Sequence, residues 1–510
     1  MRTIPVLSLL LLGVVSTALA QQRFQPSDSP DVTVTVQSVA PGANLFFAAN
    51  GNDNNPCTQA APCQTLSKAA SFIYQPGATI NFRGGDTFFG EFYLTRTQVP
   101  SGGDVNNPIT IQSYGGGRAT IASNQDGVNN GNKGPRNWAV LLDSTSGVVL
   151  QDLNITANGK YVQYGIVIQN LAGTWAPADY NQQLAAGMIH NIVVRRVDVG
   201  GFGVRPTPGN WDAFEAGAQL TIAGYFVTSW GCGPIDNVRV LDSKFHGNDG
   251  VASLAETGIN VTNCLTVWNV VWRGNEVFNI GGTPGVAVSG NGMVMTGVVN
   301  GVMEYNHAHH NANNAQGCGG PVGIWADNSK NITIQFNEVD HMHVANWGAT
   351  GQQCDVGAYD FDSNVFDSVM QYNYSHDNDG PGWLLHGNAS NNTVRYNISV
   401  NDGLRNGPAA ILNINGGGLS RFYNNIAIGP SAAFQLAAYS YKPGSQVANN
   451  ILITTGLDSA GRWFGGGPLP GADISNMDIR NNLYFNTVPG VAIRFSNNSF
   501  QSDGLASTGT

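Results

Sequence analysis

Residues 302–311 read VMEYNHAHHN, and the same phrase returns as IQFNEVDHM (334–342), VMQYNYSHDN (369–378), VRYNISVND (394–402), FYNNIAIG (422–429), VANNILIT (447–454) and IRNNLYF (479–485). In each, a short apolar alternation meets an asparagine and a second alternation follows. The anchor asparagines are Asn275, Asn306, Asn337, Asn373, Asn397, Asn425, Asn450 and Asn482, at intervals of 31, 31, 36, 24, 28, 25 and 32 residues. Weaker versions upstream (LQDLNI, VRRVDV, RVLDSKF) set Asn154, Asp198 and Asp242 in the same role. Alternation with period two predicts short strands with one face turned inward. Gly, Asn, Asp and Pro punctuate them as turn residues.

No long stretch has helical periodicity, and no paired hairpin signals lie between the strands. Strands recurring at such intervals predict stacked parallel rungs, in which each coil buries its inward residues on the coil below. The expected fold class is therefore all-β: a single parallel β-helix of about eleven coils, a rod on the order of 50 Å long at the sheet spacing. Gly159–Gly233 and Ala345–Ala358 read as long insertions between coils, and they hold Trp175, Trp211, Trp230 and Trp347.

With these coils goes FFAANGNDNNPCTQAAPCQTLSKAASFI followed by INFRGGDTFFGEFYL, within residues 46–94. Together they resemble the right-handed parallel β-helix proteins of the pectin-lyase-like superfamily, and the likeness spans nearly the whole mature chain. It implies a right-handed solenoid with an N-terminal cap. It does not choose among the lyases, glycoside hydrolases, uronate epimerases and non-catalytic adhesins built on that fold.

The N-terminus, MRTIPVLSLLLLGVVSTALA, has a basic start, an apolar run and a small-residue end. It reads as a secretory signal, so an extracellular, secreted protein is expected. The organisation predicted is a signal peptide over 1–20, an N-terminal extension over 21–45, the β-helix over 46–500 and a polar tail over 501–510. No apolar run is long enough to span a membrane. A net charge of -10 without any Lys/Arg cluster excludes nucleic acid as a partner, and a monomer is expected. Six cysteines in a secreted chain suggest three disulfides: Cys57–Cys63 as a local clip, with Cys232–Cys264 and Cys318–Cys354 each about one repeat apart. Sequons at Asn154, Asn260, Asn331, Asn373, Asn388, Asn391, Asn397 and Asn497 are candidates for glycosylation.

Charged residues make up only 11% of the chain, yet residues 355–379 hold six aspartates and His376. Counting back from the anchors aligns GIWAD, YDFD, WLLH and ILNIN as one strand of four consecutive coils. Alternation turns Ile324, Ala326, Tyr359, Phe361, Leu385 and Leu412 inward. It leaves an outward column of Asp327, Asp362, His386 and Asn413, with Asp360 two residues from Asp362. Stacked carboxylates one rung apart cannot both ionise cheaply, which makes an acid beside a base. Asp327, Asp360, Asp362 and His386 are accordingly the expected catalytic residues. Trp325, Trp383, Asn413 and Arg405 are the expected substrate-binding ones, the tryptophans offering flat faces to a sugar ring. If a metal is bound there, the ligands would be Asp327, Asp360 and Asp362, and the ion Ca2+.

A second column, His309, Asp340 and His376 with His310, His341 and Asp377 beside it, follows the anchors. It reads chiefly as turn-capping side chains, with imidazole and carboxylate groups of a kind that also bind divalent metals. A polysaccharide is the expected substrate, and hydrolysis by paired aspartates the leading reaction. A metal-assisted lyase or C5-epimerase acting on a uronate polymer comes next, since YDFD, VMQYNYSHDND and WLLHG follow the coil order of mannuronan epimerases. The DPHE tetrapeptide of that family is absent, as are the NTD and RIK patterns of polygalacturonases. A non-catalytic glycan-binding rod is the third alternative.

Overall fold

Each coil of the chain contributes three short strands, joined by corners of one to a few residues on two sides and by longer loops on the third. In the computed structural model one coil runs Val322–Asp327, Lys330–Gln335 and Glu338–Asp340, and the next runs Gly357–Phe361, Val369–Gln371 and Tyr374–His376. Residues 37–487 are described, except 101–102, 125–137, 160–161, 172–178, 204–216, 223–232, 248–256, 262–266, 283–288, 316–320, 345–355, 387, 406–411, 416–417, 431–434, 437–440, 456–466 and 469–474. Equivalent strands of successive coils pair in parallel and form three sheets. We name them by their place in the coil just given: sheet III (Val322–Asp327 and its equivalents, 12 strands), sheet I (Lys330–Gln335, 14 strands) and sheet II (Glu338–Asp340, 13 strands).

The rod is therefore longer than the eleven coils expected. Its first rungs, Asn44–Phe47, Thr79–Arg83 and Ile109–Tyr114, carry no corner asparagine and escape a count anchored on one. Gly159–Gly233 is likewise not an insertion throughout. It holds the strands Tyr164–Gln169, Ile189–Arg195, Asp198–Gly200 and Ala218–Ile222, which pair with the rungs on either side. The short helix Leu66–Ala69, N-capped by the Thr65 side chain, buries Leu66 and Ala69 at the first coils. Among the described residues no helix is long and apolar enough to cross a membrane.

Inward residues of the three sheets merge into one continuous core. Ile324, Ala326, Tyr359, Phe361 and Leu385 come from sheet III, Ile332, Ile334, Met370 and Val394 from sheet I, and Ala308 and Val339 from sheet II. Each large side chain buried this way contributes roughly 1.5–3 kcal/mol.

Between sheets I and II the chain turns on two residues. The first takes a left-handed conformation, as at Tyr305, Phe336, Tyr372 and Tyr396 with φ of 55–56°. The second is the anchor asparagine, buried. Asn306, Asn337, Asn373, Asn397, Asn425 and Asn450 each donate Nδ2 to the next Oδ1 at 2.9–3.0 Å, and the same Oδ1 accepts the backbone N–H of the coil before. Side-chain amides thus satisfy corner groups that cannot join a strand ladder. Left-handed geometry is costly for a bulky residue. Here the aromatic rings stack on one another with centroids 5.0–5.2 Å apart, which offsets part of that cost.

Upstream, Asn154, Asp198 and Asp242 do not stand in the ladder. Asn154 and Asp198 pair in register with Lys244 and then Glu276, one residue past it. Asp242 is the left-handed residue before it. Ser243 fills the ladder position, accepting from Val197 N–H and donating its own N–H to Asn275 Oδ1. Two sequons, Asn373 and Asn397, lie inside the ladder at 2% and 1% exposure, and Asn260 is also buried, so the folded rod leaves no room for a glycan on any of the three.

A second buried polar row closes the far end of sheet II. Asn378 donates N–H and Nδ2 to Asp402 Oδ1, and the hydroxyls of Ser375 and Ser399 each lie 2.5 Å from Oδ2. Burial pushes the Asp402 carboxyl up to about 6, against the hydrogen bonds it receives. The folded chain thus keeps a proton there that the unfolded chain loses near pH 4. The associated stability is complete below pH 4 and is lost as pH rises through about 6. Asp402→Asn supplies a neutral donor at the same place. Urea unfolding should show it to be more stable than the parent at pH 7.5, by on the order of 2–3 kcal/mol, with the difference vanishing below pH 4.

The Cys57–Cys63 disulfide is present, Cα atoms 4.6 Å apart, with Cys63 bridged to Phe47 of the first rung. Residues 1–36, including the expected signal peptide and most of the extension, lie outside the described residues. So do Cys232, Cys264, Cys318 and Cys354, the four loop tryptophans and the tail.

Candidate active site

Sheet III brings the predicted column together. Trp325 pairs with Asp360 and Ala326 with Phe361, so Asp327 and Asp362 follow at the same level on adjacent rungs, and Asp362 N–H donates to Ala326 O. One rung on, Phe361 pairs with Leu385, which sets His386 beside Asp362. His386 Nδ1 lies 2.8 Å from Asp362 Oδ1. The same Oδ1 accepts from Ser363 N–H at 2.7 Å and Ser363 Oγ at 3.2 Å. All three donors converge on one oxygen. Among the described residues Asp362 Oδ2 accepts none. Asp327 Oδ2 accepts from Asn328 Nδ2 at 2.6 Å.

These environments drive the two carboxyls apart. Burial, then the Asp362 charge, pushes Asp327 up to about 6. Burial works on Asp362 in the same sense, but the His386 hydrogen bond and charge and the Ser363 donors outweigh it and hold it below the usual carboxylate range. A proton-holding acid thus stands one rung from an ionised carboxylate.

Asn413 is displaced from the column. It pairs with Leu384, and Asn415 is the residue opposite His386. The corner after this strand is shorter than supposed, so Asn415 lies ten residues before Asn425 and Asn413 twelve. Trp383 is not a sugar platform. It pairs with Tyr359 and is fully buried in the main core, where the alternation that turns Leu385 inward also sends it. Trp325 points to the outer side but is only 5% exposed, packed with Val294 and Val322, its Nε1 donating to Asn291 Oδ1 at 3.0 Å.

The burial of Trp325 belongs to a whole column. Leu141, Val167, Thr221, Asn260, Val294, Trp325, Asp360 and Leu384 are register partners on successive rungs, and every one is buried. Asp360, at 2% exposure, is in that covered column, whereas Asp327, Asp362 and His386 are partly exposed on the next. Arg405 lies at the corner between sheets II and III. Its Nη1 donates to Val344 O at 3.0 Å, and its Nε is 3.4 Å from Asp379 Oδ1. It ties together two loops that lead into sheet III.

The strand assignment adds a regional contrast in charge between two faces. Among the described residues, the strands of sheet III, from Phe92–Thr95 to Gly467–Pro468, contain no lysine or arginine, whereas sheet I carries Arg83, Arg195, Arg239, Arg273, Lys330, Arg395, Arg421 and Arg480. The signal was available once strands could be assigned to sheets. Groups of three or more potential metal ligands among the described residues occur on sheet II, as His310/Asp340/His341 and His307/Glu338/Asp340, and the set Asp327/Asp360/Asp362 is not one of them.

The fold is a right-handed parallel β-helix. Among solved structures, the chain is similar to a GH136 lacto-N-biosidase from Eubacterium ramulus, with 17% identity and a TM-score of 0.52, over 86% of this chain and 67% of that one. It is also similar to a DFA-IIIase from Arthrobacter chlorophenolicus (13%, TM-score 0.49, 86% and 99% covered) and to the A-module of a mannuronan C-5 epimerase from Azotobacter vinelandii (13%, TM-score 0.46, 89% and 100% covered). No protein-family model and no curated protein matches the sequence.

Proposed function

We propose that this chain is a secreted carbohydrate-active enzyme that cleaves a polysaccharide by hydrolysis on the outer face of sheet III. The observation that carries the reading is the pair Asp327 and Asp362, adjacent in register and pushed in opposite directions, the former to about 6. Opposed carboxyls of this kind are how a site keeps an acid and a base at one pH. Asp327 is the proton donor to the leaving oxygen. Asp362, oriented by His386 and Ser363 through Oδ1, presents Oδ2 to the anomeric carbon.

Adjacent rungs are ~4.8 Å apart. That separation suits a nucleophile and an acid rather than a pair holding water between them, so net retention of anomeric configuration is expected. Asp360, which the i,i+2 spacing alone would make the water-activating partner, is in the covered column.

The absence of Lys and Arg from the described strands of sheet III favours a neutral glycan over a polyuronate, because a uronate needs its carboxylate neutralised. The Asp362–His386 pair also supports a second reading, since an imidazole oriented by a carboxylate is a base suited to removing a C5 proton. A panel of neutral and uronate polysaccharides, followed for reducing ends and for unsaturated-uronate absorbance, separates the two. Reducing ends from neutral glycans without absorbance are the expected result. Absorbance from a uronate polymer would replace hydrolysis by β-elimination. Silence on the whole panel, with glycan binding retained, would leave a non-catalytic rod.

A further inference from the structure

Seven of the nine histidines lie on or beside one strip of the outer face of sheet II: His246, His307, His309, His310, His341, His343 and His376. We infer that this strip holds a divalent transition-metal site, of the Zn2+ class, centred on Asp340 and the imidazoles of His310 and His341. The inference is independent of the site on sheet III.

Asp340 is the hub. On the three-residue strand Glu338–Asp340 the middle residue, Val339, is buried in the core, and Asp340 takes the end position, in register with His309 and His376. Only 7% of its side chain is exposed, yet both oxygens face imidazoles: Oδ2 lies 2.5 Å from His307 Nε2, and Oδ1 meets His341 Nδ1. The next residue of each coil is a left-handed corner, and there His310 and His341 stack in parallel, centroids 4.6 Å apart. One ligand atom each from His310, Asp340 and His341 fall within 4.8 Å of one another, and a second triad, His307, Glu338 and Asp340, shares the carboxylate. His309 Nδ1, 2.9 Å from His310 Nδ1, is placed to supply a fourth donor.

Stacking alone does not account for the composition. At the opposite corner, where rings stack on the same rung spacing, the chain uses Tyr305, Phe336, Tyr372 and Tyr396. Here it uses imidazoles around a carboxylate, a nitrogen-rich set that fits zinc, nickel or copper. Calcium asks for six to eight oxygens, whereas the triad of His310, Asp340 and His341 offers only the two of Asp340. Tetrahedral bonds of ~2.0–2.1 Å put ligand atoms a little over 3 Å apart, so closure needs shifts of about an ångström or less.

The test uses the full mature chain, stripped with chelator and titrated with Zn2+ against a chromophoric competitor. Co2+ titration, read by visible absorption, reports the coordination geometry. Saturable Zn2+ binding is expected, with a tetrahedral Co2+ spectrum and no competition from Ca2+. The double variant His310→Gln/His341→Gln should bind at least ~10-fold more weakly, the lower end for disturbing even an outer-shell partner. The single variant His310→Gln, at an exposed corner, repeats the comparison if the double variant does not fold. Absence of saturable Zn2+ binding, or unchanged affinity in folded variants, overturns the inference.

Discussion

Asp362→Asn is expected to abolish turnover on whichever glycan the parent cleaves, by on the order of 10⁴ or more in kcat, as removing an attacking group does elsewhere. Asp327→Asn should cost ~10²–10⁴, the range for a general acid. Both side chains sit on the outer face, so thermal melting should stay close to that of the parent. The pH profile provides an internal check. Asp327 works protonated, and its carboxyl is pushed up to about 6, so kcat/KM should decline as pH rises past about 6. Asp362 works ionised and is held below the usual carboxylate range, so the acid limb should fall under pH 4. Replacing Asp362 by the neutral amide removes the charge that helps raise Asp327, and any residual activity should lose its alkaline limb at lower pH. Full activity in Asp362→Asn would remove this column from the chemistry.

The second large effect is on stability. Asn337 lies at mid-ladder, 2% exposed. Its Nδ2 donates to Met303 O and Asn373 Oδ1, and its Oδ1 accepts from the N–H and Nδ2 of Asn306. Alanine strips partners from two backbone groups and two amides at once. At about 1–3 kcal/mol for each buried group left unsatisfied, and with partial relaxation, Asn337→Ala should lose roughly 3–5 kcal/mol in equilibrium urea unfolding. A loss under ~1 kcal/mol would mean that water or a shifted corner replaces the ladder. Peptide mapping of protein expressed in a glycosylating host should accordingly find Asn373 and Asn397 bare, because either glycan would interrupt the same ladder.

The anchor asparagines, the parallel rungs and the pairing of Asp327, Asp362 and His386 were all legible in the chain. A solenoid repeats one local problem, so period-two alternation and a fixed corner residue carry the register from coil to coil. Where that corner residue was missing, legibility failed. The first three rungs went uncounted, and Asn154, Asp198 and Asp242, which mark the right rungs, were shifted by one, because Leu153, Val197 and Ser243 occupy the corner there. Asn413 was misplaced by two residues because corner length varies between coils and only the strand pairing fixes it.

What only the tertiary structure decided is which outward residues meet solvent. Alternation says inward or outward, and it put Trp325, Asp360, Asp327 and Asp362 on one side. Burial by other parts of the fold depends on residues distant in sequence and has no period to read. The fold covers the column of Trp325 and Asp360 and leaves that of Asp327, Asp362 and His386 partly open, which alone separates a packed carboxylate from a reactive pair. Convergence is equally non-local. His307, Asp340 and His341 become neighbours because rungs some thirty residues apart in sequence lie one strand spacing apart in space.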